Sequence, residues 1–240
     1  MDPLFRSFPT LGQWSATWEA RPSRFRVKKK AERSPFQEIA HYVGGALSNH
    51  GYQLFQNGGM PLIEKRVREY RQEILLLPGP EMDTRAEVPF SVQVHLSSTV
   101  LAEIRSVYWK PPTRAPQSVA HGNLGQLSPD PSFLLFHGAG RVETAGKILE
   151  LLHANVLPWF EIFHRPTLLR ERIYTRSLPL VDDCTSVELL LAEFDPFEAR
   201  SFVRLRMESI LDHTGPVDLA EGFDPQPDRV HSVAAYYNLR

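Results

Sequence analysis

The sequence predicts an α+β fold: an antiparallel sheet of four or five strands, with an N-terminal helix and a C-terminal group of helices packed on it. Strand-like segments cluster between residues 52 and 98, and helix-like segments dominate from 142 onward. The two kinds do not alternate, as a parallel βαβ sheet would require. The links between the strand-like segments are short, which favours antiparallel neighbours.

The first element opens on Ser34-Pro35-Phe36-Gln37: a Ser at the N-cap, Pro at the first helical position and Gln at the capping-box position. Phe36, Ile39, Ala40, Val43 and Leu47 form one apolar face, and Gly51 is the stop. The segments YQLFQ, PLIEKRVREY, RQEILLLPGP and VPFSVQVHL then read as strands. In the last, Phe90, Val92, Val94 and Leu96 alternate with Ser91, Gln93 and His95, the period of a half-buried strand. A helix is expected from Thr99 to Tyr108, with Trp109 in the core. Residues 110–131 hold five prolines and read as a long loop, after which FLLFHG is expected as a strand.

In the second half, helices are expected over Val142–Asn155, from Leu157-Pro158-Trp159 to Phe163, and over Pro166–Tyr174. Two more are expected at 185–193 and 196–211, with Asp182-Asp183 capping the first and Asp195-Pro196 opening the second. The organisation expected is a basic arm over 1–33, an α+β domain over 34–212 and a C-terminal tail over 213–240.

Composition narrows the class. The net charge of −1 gives no overall pull toward nucleic acid or an anionic membrane. Its distribution is uneven: residues 1–33 carry eight Lys/Arg against three Asp/Glu, and the rest carries nineteen against twenty-five. A single cysteine, Cys184, excludes an internal disulfide and a multi-cysteine zinc site. No secretory apolar region and no run of 18 apolar residues is present, so a cytoplasmic protein without a membrane segment is expected.

Three patterns near residues 121–147 invite a catalytic reading. His137-Gly138-Ala139-Gly140 after a strand resembles an oxyanion loop, yet the G-x-S-x-G elbow that would supply its nucleophile is absent. Between Gly140 and Gly146 lie five residues, one more than a phosphate loop has, and Ile148 follows Lys147 where Ser or Thr would hold magnesium. Nine histidines are scattered with no H-E-x-x-H, and no lysine follows an acid by two positions. No metal or cofactor is expected. An enzyme reading therefore rests on His121, His137 and Lys147 being brought together by the fold, as a hydrolase or nuclease sited near the His137–Gly140 turn.

The basic arm offers the other reading. Arg24, Arg26, Lys28, Lys29, Lys30 and Arg33 suit an acidic partner surface. Nucleic acid fits less well, because one aromatic residue, Phe25, interleaves the charges and the rest of the chain is acidic.

Several segments carry a family resemblance: a capped helix ending in HGY, then YRQEILL, FSVQVHLSS, FLLFHGAG, KILELLHANVLPWFEIF and HRPTLLRERI. From about Phe36 to Ile173 the chain resembles the bacterial domain-of-unknown-function family 4304, most specifically at the Leu157-Pro158-Trp159-Phe160 junction. The resemblance implies a small accessory protein of bacteria and supplies no catalytic residues. The expectation is a non-enzymatic bacterial cytoplasmic interaction protein, in its narrowest form an immunity or antitoxin-type inhibitor of a toxin.

Overall fold

The computed structural model describes residues 35–57, 60–78, 89–108, 117–132, 134–137, 140–212, 233–235 and 237–239. The expected basic arm, the Ser34 cap and Trp109 lie outside these residues.

The α+β architecture is as expected. Helix α1 (Pro35–Leu47) is followed by β1 (Gln53–Asn57), β2 (Met60–Val67), β3 (Tyr70–Pro78) and β4 (Pro89–Ser98). These four form an antiparallel meander in the order β1-β2-β3-β4. Helix α2 (Thr99–Tyr108) leads to β5 (Ser118–Asn123), which extends the sheet antiparallel to β4. A two-residue β6 (Phe136–His137) pairs with the opposite end of β4. Strand β5 corrects the long loop expected over 110–131, and only two residues of the expected FLLFHG strand are strand. Asn123 explains the second difference: its side chain accepts from Leu134 N and donates to Leu134 O (2.9 and 3.1 Å), tying this stretch down from outside the ladder.

Helices α3 (Arg141–Leu151) and α4 (Leu157–Ile162) are joined by a π turn over Leu152–Val156, so one continuous rod replaces the two helices expected there. Pro158 is tolerated at the first turn of α4. Val142, in the first turn of α3, is exposed. Helix α5 (Pro166–Tyr174) follows, then α6 (Asp183–Glu193) and α7 (Pro196–Asp212). The expected caps are in place: Asp182 Oδ1 accepts from Thr185 N at 2.7 Å. Asp195 Oδ1 accepts from Phe197 N and Glu198 N at 2.8 and 3.0 Å.

Period two divides the sheet into two faces. Ile63, Ile74 and Val94 stand opposite one another across β2, β3 and β4, and all three are fully buried in the core. Leu76, Val92 and Leu96 share that face. Helix α1 packs on β1 and α3, and Gly44 brings it close: an added Cβ would lie 3.0 Å from Leu54 Cβ. Trp159, Phe160 and Phe163 form an aromatic cluster, and the Trp159 indole donates to Pro179 O at 3.2 Å. From the expected tail, Val233, Ala234 and Leu239 are buried in the same core, and Arg200 donates to Asn238 O at 3.0 Å.

Candidate functional site

One residue along from Ile63, Ile74 and Val94, the register puts a polar row on the opposite face of the sheet. Gln53, Glu64, Glu73, His95 and His121 are successive cross-strand partners over β1 to β5. Neighbouring strands lie about 4.8 Å apart, so opposite side chains in such a row come within bonding reach.

The row is wired as a chain. Arg66 and Arg71 hold the two oxygens of Glu64 at 2.7 and 2.6 Å. Arg71 also reaches Glu73 Oε1 at 3.0 Å, while Glu73 Oε2 binds His95 Nδ1 at 2.6 Å. The His95 ring ends on Ser118, with Nε2 3.1 Å from Oγ. Burial pushes the Glu64 carboxyl up, but the hydrogen bonds and charges of Arg71 and Arg66 outweigh it and hold the group below its ordinary value. A carboxylate oxygen accepts, so the contact at Glu73 suits a proton on His95 Nδ1, and in that tautomer Nε2 accepts from the Ser118 hydroxyl.

Ser118 reaches this face through an irregularity. His95 pairs with His121 and Leu96 with Ala120, but Ser97 pairs with Ser118 instead of Val119. The extra residue is a β-bulge, and in a regular ladder Ser118 would have pointed to the core face. Val119 is buried in the core cluster instead, and Ser118 is left half-buried beside the histidine.

A second charged cluster sits between helices. Arg105 on α2 binds Glu188 on α6 through Nε and Nη2 at 2.8 and 2.5 Å, and both side chains are almost fully buried. The same guanidinium donates to Thr185 Oγ1 (3.0 Å) and Ser118 O (2.5 Å), so it also fixes the backbone at the bulge.

A third cluster gathers around the start of β3, where Tyr70 and Gln72 meet Tyr52, His164 and Glu193. Tyr52 donates to Gln72 Oε1 at 2.5 Å, and the Gln72 amide faces His164 Nε2 at 2.7 Å. Burial lowers the His164 value, which suits a neutral ring accepting at Nε2. Tyr70 donates to Glu193 at 2.6 Å. Burial, followed by the nearby Glu69, raises the Glu193 carboxyl.

The three residues of the expected catalytic reading are not assembled into one cluster. His121 stands opposite His95, whereas His137 stands opposite Pro89, six residues earlier on β4 and roughly 20 Å away at strand rise. Lys147 is exposed on α3, and the His137 carbonyl accepts from Thr144 Oγ1 at 3.0 Å. The six basic residues of the expected partner arm lie outside the described residues. No group of three or more potential metal ligands occurs among the described residues. A cavity of about 200 Å³ lies at the α5–α6 corner, lined in part by Arg172, Arg176, Asp182 and Asp183, and no member of the polar row lines it.

Sequence reasoning singled out none of Glu64, Arg71, Glu73 and Ser118 as site residues. It placed His95 on the polar side of β4 without a partner. The available signal was alternation, which puts these types on a polar face but does not say which of them meet. Set against protein-family models, curated proteins and solved structures, the chain gives no match.

Proposed function

We propose that this protein works by binding a protein partner in the bacterial cytoplasm, in its narrowest form as an immunity or antitoxin-type inhibitor of a toxin. The observation that carries this reading is the segregation of charge. Residues 1–33 have a net charge of +5 and residues 34–240 one of −6. Two surfaces of opposite sign on one chain favour a partner with complementary potential, which speeds encounter and disfavours wrong partners.

Affinity capture from native bacterial lysate tests it, using the full chain and a variant lacking residues 1–33. One stoichiometric protein retained by the full chain and lost by the truncated one is the expected result. Retention of no protein by either would overturn the binding reading.

A hydrolase is the second reading, favoured by one observation: the hydrogen-bonded order Ser118, His95, Glu73. This moves the enzyme hypothesis from the His137–Gly140 turn to the β4–β5 ladder.

A further inference from the structure

We propose that Ser118 is a nucleophile that accepts an acyl group, with His95 as its general base and Glu73 as the positioning residue behind it. This rests on the hydrolase reading and deepens it, and it stands or falls separately from the binding reading.

Three features of the geometry carry the proposal. The contacts run in the order that activates a hydroxyl: Ser118 Oγ to His95 Nε2 at 3.1 Å, then His95 Nδ1 to Glu73 Oε2 at 2.6 Å. The same roles recur on unrelated folds and with different chain orders, so the missing G-x-S-x-G elbow does not exclude them. Second, the serine is delivered by a β-bulge, a device that re-aims a side chain and is over-represented beside active sites. Third, the support is asymmetric. Arg71 lies nearer to Glu64 (2.6 Å) than to Glu73 (3.0 Å), and Glu73 makes its shorter contact with the imidazole. Glu73 is therefore aimed at Nδ1, where its carboxylate form stabilises the imidazolium that forms when Ser118 gives up its proton.

The class of substrate is a carboxylic ester or thioester with a good leaving group. Ser118 Oγ attacks the carbonyl carbon and its proton passes to His95 Nε2, while the carbonyl π pair moves to oxygen. Collapse breaks the bond to the leaving group, which takes that proton from Nε2. The products are acyl-Ser118 and the free alcohol or thiol. Water, deprotonated by the same nitrogen, then releases the carboxylic acid and restores Ser118.

The test uses the full chain with an aryl fluorophosphonate, read by intact mass and peptide mapping, and with p-nitrophenyl acetate. Expected is one adduct on Ser118, absent in Ser118→Ala. In His95→Ala labelling should be slower by about 100-fold or more, and added imidazole should restore part of it. Glu73→Gln should slow labelling and remove the downfield proton resonance of the imidazole–carboxylate hydrogen bond. Circular dichroism confirms that each variant is folded, and Ser118→Cys with iodoacetamide provides a second nucleophile readout at the same position. Three results would each overturn the proposal: no adduct in the wild type, equal labelling of Ser118→Ala, or alkylation of Ser118→Cys at a rate that His95→Ala leaves unchanged.

Discussion

Arg105 and Glu188 meet between two helices, while Glu73 and His95 meet across two strands, and the two pairs end differently. The helix pair is closed: Arg105 has Glu188, Thr185 Oγ1 and the Ser118 carbonyl around it, and both charged side chains are almost fully buried. The strand pair is one link in a chain that runs from the exposed Arg66 to the half-buried Ser118. A closed pair in a dry interface fixes how two helices dock. A chain that ends on a half-buried hydroxyl leaves its last group available for chemistry. Burial of a charge alone does not mark a site; what distinguishes the two is whether the final partner can still react.

The largest expected effect lies on the closed side. Arg105→Leu removes the guanidinium that faces the buried Glu188 carboxylate and should cost about 3–5 kcal/mol in urea unfolding. Replacing both, as Arg105→Met with Glu188→Leu, should recover most of that loss, because the pair's desolvation penalty disappears with it. A single-variant loss below about 1 kcal/mol would break the comparison. On the strand side, His95→Gln leaves Glu73 paired with Arg71 and should cost about 1–2 kcal/mol by the same measurement. A loss as large as that of Arg105→Leu would make the row a structural fixture of the same kind.

The smallest effect is in pH dependence. Glu193 has a raised folded value, so its contribution is fully present below the ordinary carboxyl value of 4.5 and is lost as pH rises through the raised one. Glu64 has the opposite sign: its contribution is present above 4.5 and is lost as pH falls through its lowered value. Glu193→Gln should therefore flatten the pH dependence of the unfolding free energy above pH 4.5, by under about 1 kcal/mol since the group is only partly buried. Glu64→Gln should lower the midpoint at neutral pH and leave it little changed at the acid end. Equal pH slopes in the two variants would contradict the assignment.

Much of the fold was legible because local signals agreed with tertiary ones. The alternation of Phe90 to Leu96 names the core face of β4, and Asp182 and Asp195 cap where capping chemistry says they should. Strand β5 was hidden because Ser118–Asn123 is short, contains Gly122 and follows a proline-rich stretch, all marks of a loop. An added Cβ at Gly122 would lie 2.5 Å from Gln126 Oε1 and 2.7 Å from Leu180 Cδ2, so the ends of both side chains would have to shift. The π turn was hidden because Pro158 reads as a restart, while its backbone is accommodated within a continuing helix. The site was illegible for a different reason. Glu64, Glu73 and His95 lie far apart in the chain and meet only through strand register, and Ser118 joins them only because one residue of β5 is unpaired. Register and bulges are pairwise properties of strands, and periodicity within one strand does not contain them.

The π turn has a consequence for how this protein tolerates change in length. Its i→i+5 bonds take up one residue more than an α-helical turn, so everything after Val156 is rotated by roughly 100° relative to an unbroken α-helix. Trp159, Phe160 and Phe163 are all buried in the phase that this offset sets. Losing a single codon here, for instance that of the exposed Ala154, would turn the π turn into an ordinary α-helical turn and leave the aromatic cluster in the same phase, facing Pro179 and the core. The stretch from Leu152 to Val156 should therefore accept a one-residue deletion, whereas the same deletion within Arg141–Leu151 would rotate the aromatic cluster by roughly 100° and bring it out of the core.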